Sequence, residues 1–91
     1  MNLAWAIDYS ATAKKQLKKL DRKIAKQILD YLDERISPSD NPRKIGKALV
    51  GARLGSYWRY RVGDYRVVCE ILDNEIKILV VALGNRKDVY K

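Results

Sequence analysis

Histidine is absent from the 91 residues of this chain, and cysteine occurs only once, at position 69. The missing imidazole removes the side chain that most often serves as a general base and as a metal ligand. A single thiol excludes an internal disulfide bond, and with no histidine beside it the chain lacks the usual ligands of zinc. We therefore expect no metal and no cofactor, and the cysteine content suits a reducing cytosol.

Long apolar runs are also missing. No stretch approaches the roughly 20 apolar residues that span a bilayer, and the opening MNLAWAIDYS has no basic segment of the kind found in signal peptides. With 47% hydrophobic and 33% charged residues, the composition is that of a soluble globular protein. We predict one domain over residues 1–91 with one modest core, located in the cytoplasm and not in a membrane.

Acidic residues are few relative to basic ones. The chain has 19 Lys and Arg against 11 Asp and Glu, a net charge of +8. Such an excess favours polyanionic partners, with nucleic acid first among them. The lysines and the arginine of the predicted helices either form a solvated face or bind RNA electrostatically. With two lysines further along the chain, the candidate RNA-binding residues are Lys14, Lys15, Lys18, Lys19, Arg22, Lys23, Lys26, Lys44 and Lys47.

Apolar periodicity predicts a strand followed by two helices. Alternation at Leu3, Trp5 and Ile7 indicates the opening strand, and Ser10 is a suitable N-cap for the first helix. Ser37-Pro38 should end the second helix. The two stripes at helical spacing comprise Ala13, Leu17 and Leu20 in the first helix, and Ala25, Ile28, Leu29, Leu32 and Ile36 in the second.

The second half of the chain predicts a meander of strands. Residues 37–53 contain both prolines and should form a loop, with one helical turn around Ile45–Leu49. A type II′ turn is expected at Gly63-Asp64, and a second two-residue turn at Asp73-Asn74. The strands are predicted at Leu54–Val62, Tyr65–Leu72 and Glu75–Leu83. The order β-α-α-β-β-β gives an α+β fold, a largely antiparallel sheet with a helical hairpin on one face.

Strand alternation then assigns side chains to the two faces of this sheet. Facing the helices we expect Trp58, Tyr60, Val62, Val67, Cys69, Ile71, Ile76, Ile78 and Val80. On the opposite face we expect Arg59, Arg61, Arg66, Glu70, Lys77, Val68, Leu79, Val81 and Leu83. A face that mixes arginines with apolar residues favours a binding surface over bare sheet.

The predicted turn sets Arg61 directly opposite Arg66, with Arg59 two residues away on the same face. Like charges opposed across a ladder destabilise a sheet. This arrangement suggests an anion that is bound between them, and a phosphate matches the geometry of guanidinium groups. The alternative is that these arginines are solvated strand residues that pair with Glu70 or Asp64.

Two sequence blocks carry a resemblance to a known family. YWRYRVGDYRVV at 57–68 and LGNRKDVY at 83–90, in a chain of this length and element order, resemble the RelE-type toxins of bacterial toxin–antitoxin systems, within the RelE/ParE superfamily. The resemblance implies a metal-independent endoribonuclease that cuts messenger RNA on the ribosome and so inhibits translation. It also implies a cognate antitoxin, and operator DNA as a partner only through the toxin–antitoxin complex.

The resemblance further implies a catalytic set of Arg59, Arg61, Arg66, Arg86 and Tyr90. In some members of the family the first two positions are lysines, and here both are arginine, which stays protonated in proteins. The general base is therefore left open. Tyr90 is the candidate for proton transfer, since neighbouring guanidinium groups would favour its phenolate.

Two other functions stay open. A ParE-like inhibitor of DNA gyrase would bind its target without catalysis, although ParE-like chains generally lack the Arg…Tyr tail that RKDVY provides here. A non-catalytic module that binds nucleic acid is the third possibility, because the lysines at positions 59 and 61 are replaced. In either toxin, an antitoxin should be acidic where it meets the arginine face and should lay a helix or strand over Leu79, Val81 and Leu83 or over the helical hairpin.

Overall fold

A mixed sheet organises the chain in the computed structural model, which describes residues 4–49 and 57–85. Its strands, within those ranges, are β1 (Ala6–Tyr9), β2 (Lys47–Ala48), β3 (Tyr57–Val62), β4 (Tyr65–Leu72) and β5 (Lys77–Asn85). They lie in the order β1-β5-β4-β3-β2. Only the β1–β5 pair is parallel among the pairs described. The predicted α+β fold, with an opening strand and a largely antiparallel sheet, is confirmed.

A helical hairpin covers one face of the sheet, as predicted. It consists of α1 (Ala11–Lys19) and α2 (Arg22–Tyr31), which continues as a π-helical turn over Leu32–Ile36. The N-cap prediction is confirmed, because the Ser10 hydroxyl accepts a hydrogen bond from the Ala13 amide at 3.0 Å. Helix α1 packs on β5 and α2 packs on β3, so the hairpin spans the sheet.

Hydrogen bonds also join the start of the chain to its last described strand. Ile7 of β1 lies in register with Ile78 of β5. The Ser10 hydroxyl donates to the carbonyl of Val81 at 2.7 Å. The side-chain oxygen of Gln16 in α1 accepts from the Leu83 amide at 2.7 Å. These bonds satisfy backbone groups that burial would otherwise leave unpaired.

The core lies between the hairpin and the sheet. The helices contribute Ala13, Ile28, Leu32 and Ile36, and the sheet contributes Tyr60, Val62, Val67, Cys69, Ile71, Ile78, Val80 and Leu83. Trp58 is half-buried against this cluster. Most of the predicted inward-facing residues are thereby confirmed, since the period-2 pattern of β3 and β4 continues unbroken through both strands.

Leu83 was predicted on the outer face, and that prediction is wrong. Val68 pairs with Ala82 whereas Cys69 pairs with Val80, so Val81 is an extra residue that forms a bulge in β5. A bulge reverses the alternation beyond it. Leu83 therefore lies opposite Val67 and is 1% exposed in the core.

Ile76 was predicted in the core, and that prediction is also wrong. The connection from β4 to β5 is not a two-residue turn but a 3₁₀ turn over Asp73–Glu75, followed by Ile76 at φ +50°. This left-handed conformation is rare for a β-branched residue. It leaves the Ile76 side chain 38% exposed and starts β5 at Lys77 instead of Glu75.

The connector between the helical hairpin and the β3–β4 hairpin, residues 37–53, also differs from the prediction. Its helical turn, α3, spans Pro42–Ile45 and not Ile45–Leu49. Asn41 caps it by accepting from the Arg43 amide at 3.1 Å, and proline follows at the first helical position, which it favours. Strand β2 follows directly and was not predicted. The predicted start of the next strand at Leu54, residues 50–53 of the connector and Leu3 of the opening strand lie outside the described residues.

None of the described helices combines the length and the apolar character that a bilayer crossing requires.

Candidate active site

The β3–β4 hairpin places two guanidinium groups side by side. Gly63 adopts φ +60°, and Asp64 is not among the described residues with positive φ, as a type II′ turn requires. Across the ladder Val62 faces Tyr65 and Arg61 faces Arg66. The predicted turn and register are therefore confirmed, and the repulsion between Arg61 and Arg66 is part of the folded hairpin.

A cleft of about 150 Å³ opens on this face of the sheet. Three strands and the short helix α3 contribute to its wall. Its described lining consists of Ile45, Lys47, Arg59, Arg61 and Arg66. The structure thus brings three predicted arginines together and adds one lysine, which lies directly opposite Arg59 in the β2–β3 ladder.

The two opposed arginines differ in burial. Arg66 is only 9% exposed, and its Nη1 donates to the Tyr65 carbonyl at 3.4 Å. Arg61 is exposed, and its Nε donates to the Gly63 carbonyl at 3.4 Å. Within residues 4–49 and 57–85 no carboxylate forms an ion pair with either of them. A buried, fixed guanidinium beside an exposed one gives a site that is suited to a multiply charged oxyanion.

The connector that carries Lys47 is fastened to β3. The Tyr60 hydroxyl donates to the Pro42 carbonyl at 2.9 Å, and burial raises the pKa of this phenol, which favours its role as a donor. A Cβ atom on Gly46 would lie 2.8 Å from the Tyr60 ring and 2.9 Å from the Arg59 carbonyl oxygen. Glycine at position 46 therefore lets the connector approach β3 closely enough to form the wall of the cleft.

A second contact joins the same connector to the residue that follows β4. The Arg43 guanidinium makes a bidentate pair with Asp73 at 2.9 and 2.6 Å and lies 5.9 Å from the centre of the Trp58 ring. The hydrogen bond from Arg43 lowers the pKa of the Asp73 carboxyl. Sequence reasoning assigned Asp73 only to a turn. Bidentate geometry gives this pair directional character that a single contact would lack.

Two other ionisable side chains, Cys69 and Tyr9, do not belong to the described lining of the cleft. Cys69 is buried on the core face, and desolvation raises the pKa of its thiol. Burial likewise raises the pKa of Tyr9 to about 12. Within the described ranges no three His, Cys, Asp or Glu side chains are grouped so as to hold a metal ion. The described lining of the cleft itself offers only cationic side chains and the apolar Ile45.

The residues predicted to bind RNA are exposed, and all of them except Lys47 lie outside the described lining of this cleft. Those on α1 and α2 belong to the helical layer, and the arginines project from the other face of the sheet. Lys26 pairs with Asp30 at 2.7 Å, and Lys44 is exposed on α3 outside the lining. Of the basic residues predicted as the RNA footprint, the described lining contains Lys47 alone.

The predicted site residues Arg86 and Tyr90 lie outside the described residues. Ile45 was missed by sequence reasoning, and Lys47 was predicted without a place in the site. The short β2 explains the omission of Lys47, because a two-residue strand shows no alternation that could assign its residues to a face. Ile45 ends α3, whose position the sequence did not predict correctly.

Comparison with known proteins agrees with the fold. A family model described as the ParE toxin of the type II toxin–antitoxin system parDE matches residues 7–90. No curated protein sequence matches the chain.

Several solved toxin structures are similar to this one. The toxin–antitoxin complex RelBE2 from Mycobacterium tuberculosis contains a chain with a TM-score of 0.84 and 23% identity, over 97% of this chain and 98% of that one. The isolated Escherichia coli RelE toxin gives a TM-score of 0.72 and 25% identity, over 96% and 92%. The archaeal RelE–RelB complex from Pyrococcus horikoshii gives 0.66 and 23%, over 94% and 99%. With the family match over nearly its whole length, the chain belongs to the ParE toxin family of type II toxin–antitoxin systems, within the RelE/ParE superfamily.

Proposed function

We propose that this toxin is a metal-independent endoribonuclease that cuts messenger RNA on the ribosome and thereby stops translation. The observation that carries the proposal is the cleft, where Arg59, Arg61, Arg66 and Lys47 converge from three strands. A purely protein-binding surface does not require three guanidinium groups around a concave site. An RNA phosphate would offset their mutual repulsion and would be held by paired N–H donors.

RNA supplies its own nucleophile in this reaction. The 2′-hydroxyl attacks the adjacent phosphorus, the phosphorane gains negative charge, and the bond to the 5′-oxygen breaks. Guanidinium groups that are fixed before the substrate arrives stabilise that charge without reorganising. Arg66 suits this role best, because it is buried and its electrostatic effect is less screened by water than that of an exposed side chain.

The exposed lysines of the helical layer fit a separate role in this proposal. They lie on the other side of the sheet from the cleft, so one RNA strand does not need to contact both. A ribosome surrounds a bound factor with RNA phosphates on several sides. Lys14, Lys18 and Lys23 would then contribute affinity that weakens as salt increases, without contributing to the cleavage step.

The test is an in vitro translation reaction supplied with purified toxin, followed by mapping of messenger RNA ends. We expect new 5′ ends within the reading frame that appear only when ribosomes are translating the message. The matched control is the same RNA without ribosomes. Intact messenger RNA at a toxin concentration that stops protein synthesis would contradict the proposal.

Inhibition of DNA gyrase is the second candidate, because the family model that matches is that of ParE. In that case the arginine face would bind protein, and supercoiling would be inhibited while messenger RNA stays intact. A supercoiling assay with the same preparation separates the two functions. An Arg66→Ala variant that still inhibits supercoiling would further show that the cleft is dispensable there.

A cognate antitoxin is the proposed partner. Similar toxins were crystallised with one, among them those of M. tuberculosis and P. horikoshii. An acidic segment over the cleft would complement its positive charge and close the site, and operator DNA would be contacted only through the complex. We propose that the toxin acts in the cytoplasm, where its ribosomal target is found.

Removing residues 89–91 should lower messenger RNA cleavage strongly, by about 100-fold if Tyr90 moves a proton or stacks on a base. The Tyr90→Phe variant separates these roles, because phenylalanine can stack but has no hydroxyl group. Cleavage rates on translating ribosomes measure the effect. Full activity of the truncated chain would remove Tyr90 from the site.

A further inference from the structure

We infer that Lys47 is the proton donor to the 5′-oxygen that leaves during RNA cleavage. This inference rests on the proposed ribonuclease function. Lys47 thereby takes part in a chemical step, whereas the sequence placed it only among the basic residues expected to bind RNA.

The composition of the cleft leads to this assignment. Its described lining holds three guanidinium groups, one ammonium group and the apolar Ile45. Arginine stays protonated in proteins and cannot hand over a proton. An ammonium group can, and Lys47 is the one lysine in the described lining.

Lys47 shares the cleft with three guanidinium groups. Its register partner is Arg59, and Arg61 and Arg66 line the same small cleft. When the leaving oxygen develops negative charge, transfer of a proton from Lys47 therefore removes one repelling charge from the cleft and neutralises the product alkoxide in one step.

The connector also holds Lys47 in a defined place. Gly46 allows the backbone to lie against Tyr60, and the Tyr60 hydroxyl bonds to the Pro42 carbonyl at 2.9 Å. The Leu49 amide donates to the Tyr57 carbonyl at 3.0 Å on the other side of β2. A lysine held on both sides in this way has its backbone fixed, which a residue that only adds positive charge would not need.

The step balances as a transesterification. The 2′-oxygen forms a bond to phosphorus, and its proton passes to a water molecule. The bond between phosphorus and the 5′-oxygen breaks, the electron pair stays on that oxygen, and a proton from Nζ of Lys47 joins it. The products are a cyclic phosphate and a 5′-hydroxyl, and the neutral amine regains a proton from water.

The decisive experiment compares two substrates under single-turnover conditions on translating ribosomes. One is the normal message, and the other carries sulfur in place of the 5′-bridging oxygen at the mapped cleavage site. A thiolate leaves without protonation because thiols are far stronger acids than alcohols. We expect Lys47→Arg, which keeps the charge, to slow cleavage of the oxygen substrate by about 100-fold or more and to cleave the sulfur substrate at the wild-type rate.

Lys77→Arg is the matched control, since Lys77 lies outside the described lining and pairs with Asp8 at 3.1 Å, and it should behave as the wild type on both substrates. Full activity of Lys47→Arg on oxygen would show that only charge is needed, and slow cleavage of both substrates would show a positioning role; either result overturns the inference. Rescue by sulfur in Tyr90→Phe alone would assign the proton to the tail instead. Absence of any cleavage by the wild type would overturn the proposed function together with this step.

Discussion

Arg66→Ala is expected to abolish growth arrest and to slow messenger RNA cleavage by about 100-fold to 1,000-fold, with the fold intact. Arg66 is 9% exposed but projects from the face opposite the hydrophobic core. Its removal therefore deletes a fixed positive charge from the cleft without opening a cavity among the core side chains. Arg61→Ala should have the same direction of effect and a smaller size, since Arg61 is exposed and its charge is better screened.

Lys77→Ala is the matched control for these variants. Lys77 projects from the same face of the sheet but pairs with Asp8 at 3.1 Å and does not line the cleft. The Lys77 variant should keep full activity, and thermal unfolding followed by circular dichroism should show that all the variants are folded. Toxicity that persists in both arginine variants would remove the cleft from the mechanism.

Leu83→Ala is expected to lower the free energy of unfolding by about 2–4 kcal/mol, a large fraction of the stability of a small domain. Leu83 is 1% exposed in the core because of the bulge at Val81. The comparison residue is Leu79, which carries the same side chain on the same strand but is half-exposed. Leu79→Ala should cost about 1 kcal/mol or less, in proportion to the smaller apolar area that it buries.

Urea denaturation of the two leucine variants measures this difference directly. The unbroken alternation that the sequence predicted would place both leucines on the same face and give them similar costs. Equal losses of stability at positions 79 and 83 would therefore show that the register is continuous and that the bulge is absent. The experiment needs no assumption about the function of the protein.

The sequence was sufficient to predict most of the sheet. The alternation of β3 and β4 and the glycine at position 63 defined the hairpin, and from it the opposition of Arg61 and Arg66 followed directly. These predictions succeeded because turn chemistry and period-2 patterning are local properties of the chain. The cleft itself was partly predicted, through the arginines.

Features that depend on contacts between distant residues could not be predicted. The bulge at Val81 has no signal in the sequence. The residues on both sides of Val81 are apolar, so a change of face does not alter the hydrophobic pattern. The left-handed conformation of Ile76 has no sequence cue of the kind that a glycine would give. The position of Lys47 depends on how closely Gly46 approaches Tyr60, which is a property of tertiary packing.

The parallel pairing of β1 with β5 has a consequence for how the toxin is made. Ile7 emerges from the ribosome long before its partner Ile78, because both helices and the β3–β4 hairpin lie between them in the chain. The hairpin that carries the arginines can form from neighbouring residues, whereas closure of the sheet must wait until β5 has left the ribosome. The paired arginines of a nascent chain are thus expected to come together before the edge strand β1 finds its place in the sheet.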